Sequence, residues 1–167
     1  IRIGIPREYF FDMLDPDIEQ AINNATHVFE TLGAKFDEVS VPVFEHSVAI
    51  SGTILITEAA SVHLQHLQKY PSDIGVDVLQ RLRQGALTPA VDYIKAQRAR
   101  TVFNQQISEI MKNYDLLLLP TTPVTAPKIE QKAVNIGGVE LLVQSALTQL
   151  TRAFNICGLP AISIPCG

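Results

Sequence analysis

The chain has 167 residues, 47% of them hydrophobic and 18% charged, with a net charge of −4. That length suits one domain with a packed core, and an acidic balance with no basic stripe argues against a nucleic-acid surface. The charged share falls short of the roughly 25% usual in soluble domains, although a small domain has much surface to solvate, so part of this surface is expected to be covered by something else.

"RIGIP", residues 2 to 6, alternates and stops at Pro6, the pattern of a short strand. In "LDPDIEQAINNATHVFETLGA", Asp15 is suited to cap a helix, Pro16 to its first position and Asp17 to the positive end of its dipole. Ile18, Ala21, Ile22, Ala25, Val28, Phe29 and Leu32 fall on one stripe, and Gly33 stands where a terminating glycine belongs. "KFDEVSVP" then reads as a second strand, completing a βαβ-like opening.

The middle reads as helical: residues 46 to 69, a short helix from 76 to 84 ended by Gly85, and a long one to about 113 with Thr88 as cap and Pro89 in its first turn. Leu116 to Leu119 is too short for a helix and runs into Pro120, so it is expected to be an interior strand covered on both faces. Ligands in open α/β sheets bind beyond the carboxyl ends of the strands. The loop Pro120–Thr121–Thr122–Pro123 is such an end, with two uncharged hydroxyls on a stiffened turn. It suits the wall of a pocket for a neutral polar group such as an amide; the plainer alternative is a strand terminator whose hydroxyls cap the loop. "AVNIGGVEL" reads as a hairpin around Gly137–Gly138, 145 to 155 as a helix, and Ala161 to Ile164 as a last strand. The chain starts and stops in strand-like segments and has no initiating Met, so it is expected to be a single domain, 1–167, cut at both ends from a longer polypeptide.

Signatures of chemistry are mostly missing. There is no G-x-S-x-G elbow, S-x-x-K, P-loop or G-x-G-x-x-G, and nothing calls for a cofactor. His63 and His66 share a helical face without an acidic or cysteine partner nearby in sequence, so no metal is expected. Glu58, inside an apolar helix, needs a cation such as Arg81 or Arg98 or a solvent-facing position. Ser163 has no adjacent base and reads as a packed hydroxyl. Arg81, Arg83, Lys95, Arg98 and Arg100 are diluted by Asp77 and Asp92 and read as a solvated helix face. Cys157 and Cys166 lack metal-ligand spacing and are too few for a disulfide framework, which fits packed, reduced thiols in a cytoplasmic protein. No uninterrupted apolar run reaches the roughly 18 residues of a bilayer span, no signal peptide opens the chain, and no membrane partner is expected. From the residues alone no catalytic constellation assembles.

Five blocks together, "RIGIPREYF", "LGAKFDEVSVP", "VLQRLRQG" with "DYIKAQRAR", "YDLLLLPTTPVTAP" and "TRAFNICGLPAISIPCG", resemble the carboxyl-terminal part of amidase signature enzymes. The last two are the most specific, and the similarity covers essentially the whole chain. It implies an α/β fold, a mixed sheet flanked by helices, present only as an incomplete portion. It also implies serine acyl transfer on carboxamides with release of ammonia. The family's Ser-Ser-Lys triad lies upstream of these blocks, so no catalytic residue is expected in this chain and the fragment alone is expected to be inactive. Arg81 matches an arginine that contacts substrate in the related tRNA-dependent amidotransferase, in its A subunit, and Arg81, Thr121 and Thr122 are the expected substrate-binding residues. That relative has an aspartate where this chain has Thr148, which favours a general amidase. The implied partners are a small-molecule amide, the missing amino-terminal part of the same polypeptide and, through an exposed apolar face, a second copy. Two readings compete with this one: a non-catalytic binding or regulatory module, and a part of the A subunit of glutamyl-tRNA(Gln) amidotransferase.

Overall fold

A computed structural model describes residues 1–167. Strand β1 (Arg2–Pro6) leads to helix α1 (Pro16–Thr31) and strand β2 (Lys35–Val39), as the opening pattern predicts. The Asp15 side chain accepts a hydrogen bond from the Asp17 N–H at 2.9 Å, filling one of the donors that a helix start leaves open. Gly33 follows α1 with φ of +90°, the left-handed conformation that ends helices. β2 lies parallel to β1, and strand β3 (Leu116–Leu117) lies parallel on β1's other side, giving the order β2-β1-β3. The three-stranded sheet is therefore wholly parallel. Antiparallel pairing is confined to a separate hairpin of β4 (Ala133–Ile136) and β5 (Val139–Leu142), turned by Gly137 and Gly138, both at positive φ.

The core is built by helices. A turn of 3₁₀ helix (Pro42–His46) enters α2 (Ser47–Lys69), which packs on α3 (Val76–Ala86), α4 (Ala90–Met111) and α6 (Arg152–Cys157); α5 (Val143–Gln149) precedes α6. Phe10, Phe44 and Phe103 are fully buried where these meet. Phe10 and Phe44 stand edge to face, with centroids 4.8 Å apart, a preferred aromatic geometry. The segment 42–69 is long and apolar enough to cross a bilayer by length and composition. In this fold Ile50 and Ile54 of that segment belong to the same cluster as Phe44 and Phe103, so its inward face is part of the core.

Several expectations are corrected. Leu116 to Leu119 is not an interior strand: only two residues pair, at the sheet edge, and Leu116 is 52% exposed. A continuous apolar run signals cover on both faces, yet within this chain β1 is its one neighbour. Ala161 to Ile164 forms no strand because nothing pairs with it. The helix expected over 145–155 breaks at Leu150–Thr151, where the Thr151 hydroxyl donates to the Thr148 carbonyl and competes with helical bonding. Thr88 does not cap α4; its hydroxyl donates back to the Gln84 carbonyl, and Pro89 takes the cap position. Gly85 does not stop α3 but lies inside it, against the Ile56 backbone of α2. For Glu58 the solvent-facing alternative holds: it is exposed and accepts from the Tyr93 hydroxyl at 3.0 Å.

Two consequences are measurable. Leu116, Ile162 and Ile164 are exposed, so the chain is expected to self-associate; sedimentation velocity should show a coefficient that rises with concentration, and replacement of Ile162 and Ile164 by serine should remove the rise. Glu8 accepts from the Ser40 hydroxyl at 2.6 Å and the Val41 N–H at 2.8 Å, and these bonds hold its carboxyl below the usual glutamate range. A carboxyl depressed by folding contributes fully above its unfolded value, about 4.3, and the contribution is lost as pH falls through the folded value. The melting-temperature difference between the parent and Glu8→Ala should therefore be largest near neutral pH and close on acidification below about pH 4.

Candidate functional site

Arg81 projects from the exposed side of α3 and donates to the side-chain oxygen of Gln144 at the start of α5. One turn along α5, the Thr148 hydroxyl donates to the Gln144 carbonyl at 2.9 Å and accepts from a guanidinium N–H of Arg152 at 3.3 Å. Residues four apart lie on one side of a helix, so Gln144 and Thr148 line up between the two arginines.

The loop after β3 is built differently. Pro120 and Pro123 are fully buried and pin it to the fold, and the Pro123 carbonyl accepts from the Asp15 N–H at 2.8 Å, fixing it to the start of α1. Between these anchors the Thr122 hydroxyl turns inward to the Val124 carbonyl at 3.1 Å. Thr121 is exposed, its hydroxyl 2.9 Å from that of Ser163. No hydrogen bond joins Arg81 to this loop, and none of the three residues lines either of the two main hollows. One hollow is an open groove between α2 and α4, lined by Ile50, Thr53, Leu87, Asp92 and Lys95 among others. The other holds His63, His66 and Asp73, but no three such side chains are arranged to hold a metal.

Ser47 donates to the Tyr9 hydroxyl at 3.3 Å, Ser51 to the Val48 carbonyl, and Ser40 to Glu8, whose second oxygen is occupied by Val41; none bonds a histidine or lysine side chain. Cys157 is half-buried, and burial pushes its thiol up, away from the reactive thiolate.

Sequence reasoning passes over Tyr9, Gln144 and Arg152. Tyr9 sits at φ of +70°, a strained conformation for a residue with a side chain, held by the Asp12 carboxylate on its N–H at 2.8 Å. Its hydroxyl donates to the Gln149 carbonyl at 2.8 Å, joining the turn after β1 to the end of α5, and burial raises its phenol. These partners lie 140 residues apart, beyond the reach of any local pattern.

The family model described as Amidase matches residues 1–167. The chain belongs to the amidase family. Among its relatives, an amidase of Pseudomonas putida is 36% identical over 169 residues, taking in all of this chain and 36% of that protein. The A subunit of glutamyl-tRNA(Gln) amidotransferase from Listeria innocua is 32% identical over 197 residues, again across the whole chain and 38% of the relative. A solved structure described as a vestigial protein complex revealing the origins of an s-triazine catabolic enzyme superposes on 95% of this chain and 34% of its own, with TM-score 0.87 and 29% identity. The chain thus spans little more than a third of the length of these members of the amidase family, and the α/β arrangement of a small sheet flanked by helices is the family's fold over that span.

Proposed function

We propose that the chain is part of an amidase that cleaves carboxamides by serine acyl transfer, and that it supplies a wall of the substrate pocket but no nucleophile. The observation that carries this reading is the family match along all 167 residues, combined with a span of 36% of the Pseudomonas amidase. The remainder of such a relative has room for the Ser-Ser-Lys triad that the resemblance implies. There a serine oxygen bonds the amide carbon, the proton passes through the second serine and the neutral lysine to the departing nitrogen, the C–N bond breaks and ammonia leaves; water then releases the acid. In this chain Arg81 offers charged donors to the polar end of the substrate. Thr121 and Thr122 offer hydroxyls, of which Thr121's is the more available.

A part of the tRNA-dependent amidotransferase is the second reading, supported by 32% identity. It is weaker because that alignment runs to 197 positions for a chain of 167 residues, so the amidotransferase relative carries stretches with no counterpart here, whereas the Pseudomonas amidase aligns over 169. A non-catalytic module would lack catalytic serines in the longer polypeptide as well.

The test is kinetic, in the longer polypeptide that includes the segments its relatives have and this chain lacks. Arg81→Ala should lower kcat/KM about ten- to hundredfold, the loss of one or two charged hydrogen bonds of roughly 1.5–3 kcal/mol. Thr121→Ala should lower it about fivefold, a neutral hydrogen bond of about 1 kcal/mol. Unchanged kinetics in both, with folding intact, would reduce these residues to structural ones.

A further inference from the structure

We infer that Tyr9 is a positioning residue: its phenol holds the carboxyl end of α5 and so keeps Gln144 where it aims the Arg81 side chain toward the substrate. The inference rests on the role given to Arg81 above and adds what holds that side chain ready.

α5 does not place itself. Its seven residues fall short of the roughly 12–15 that an isolated helix needs in water. Ala146 is its one buried residue, and Leu150, one turn on, is buried just past its end. Gln144 and Thr148 lie on the other side and are not buried. A helix end also leaves carbonyls without partners. Here the Thr148 carbonyl accepts from the Thr151 hydroxyl at 3.1 Å, a local bond, whereas the Gln149 carbonyl accepts from the Tyr9 hydroxyl at 2.8 Å, a bond from the turn after β1. The start of α5 is tied to the hairpin, through the Val143 N–H and the Lys132 carbonyl at 3.0 Å. Tyr9 therefore ties α5 to the main sheet.

Tyr9 is itself held. Its N–H donates to the Asp12 carboxylate at 2.8 Å, and its ring stands edge-on to Phe10 with centroids 5.1 Å apart. Its hydroxyl also accepts from that of Ser47, fully buried at the start of α2, at 3.3 Å. With one acceptor and one donor the phenol has a single orientation. The φ of +70° is strain that persists only where the surroundings impose it, and such strain gathers at functional sites. From the phenol the connection runs along α5 to Gln144, whose side-chain oxygen accepts from Arg81. An arginine fixed beforehand loses less rotamer freedom when substrate binds.

A double-mutant cycle in the longer polypeptide tests this. It is read by ammonia release from propionamide and benzamide and, independently of turnover, by nitrogen-15 NMR of the Gln144 carboxamide, assigned with Gln144→Ala. Tyr9→Phe keeps the ring and removes the hydroxyl. It should raise KM and lower kcat/KM about fivefold with kcat little changed, because α5 serves binding and not the nucleophile. In an Arg81→Ala background it should have almost no further effect, since the two residues act as one unit. Tyr9→Phe should also move the Gln144 resonances toward their position in Arg81→Ala, where the contact is gone. Asp12→Ala, at an exposed position away from the core, should move them the same way by less. An equal fall in kcat/KM in both backgrounds is the mark of a merely structural residue and would overturn the inference. So would Gln144 resonances that stay in place in folded Tyr9→Phe or Asp12→Ala. Displaced Gln144 resonances with Arg81→Ala kinetically silent would contradict the pocket role of Arg81 and leave the hold of Tyr9 on α5 standing.

Discussion

Gly85→Ala is expected to lower the stability of the chain by about 3 kcal/mol, the upper range for forcing an added methyl group into a packed interior. A Cβ at this position would fall inside the van der Waals envelope of the Ile56 carbonyl oxygen and 2.9 Å from the Ala60 methyl. The nearest obstacle is helix backbone, which cannot rotate aside as a side chain can. α3 would have to move off α2, and Leu82 and Ala60, both buried, would lose contact with their surroundings. A chain of this size should lose roughly 6–12 °C in melting temperature. Gly52→Ala is the control: a Cβ there meets only an Arg152 nitrogen at 3.8 Å, an ordinary contact. With no clash, the general preference of helices for alanine should raise stability by about 0.5–1 kcal/mol. Thermal unfolding of the two variants beside the parent checks both signs. Equal melting temperatures for Gly85→Ala and the parent would mean that the helices do not pack this closely.

The same glycine shows where the sequence is readable. Asp15, Pro16 and Gly33 act through groups within a few residues of themselves, so both ends of α1 can be placed by inspection. Gly137 and Gly138 act in the same way on the hairpin. Gly85 reads as a helix stop because that is its commonest local meaning; its actual neighbour, Ile56, is remote in sequence and leaves no local trace. Leu116 to Leu119 and Ala161 to Ile164 have strand composition, but a strand exists only with a partner, and pairing is non-local. At the candidate site, Thr121 and Thr122 stand out through their loop and Arg81 only through the family resemblance of its block, whereas the joining of Arg81 to Gln144 and of Arg152 to Thr148 depends on how α3, α5 and α6 meet. Tyr9 stands in plain view inside "RIGIPREYF", and only its positive φ and distant hydrogen bonds set it apart.

The largest functional effect expected is an absence of turnover. Amide cleavage needs a nucleophile, a base within hydrogen-bond reach of it, about 2.6–3.2 Å, and donors for the oxyanion. The hydroxyls of Ser47, Ser51 and Ser40 go to a phenol, a backbone carbonyl and a carboxylate that also accepts from the Val41 N–H. The Ser163 hydroxyl meets only that of Thr121. On the function proposed above, the bond-breaking step falls to residues outside these 167, and this chain helps to hold substrate. The direct measurement is ammonia release from a panel of aliphatic and aromatic amides, made on the purified chain and on the longer polypeptide side by side. Turnover by the longer polypeptide and none by the chain is the expected result. Turnover by the chain that stays with it through purification and survives removal of contaminating amidases would contradict this division of labour.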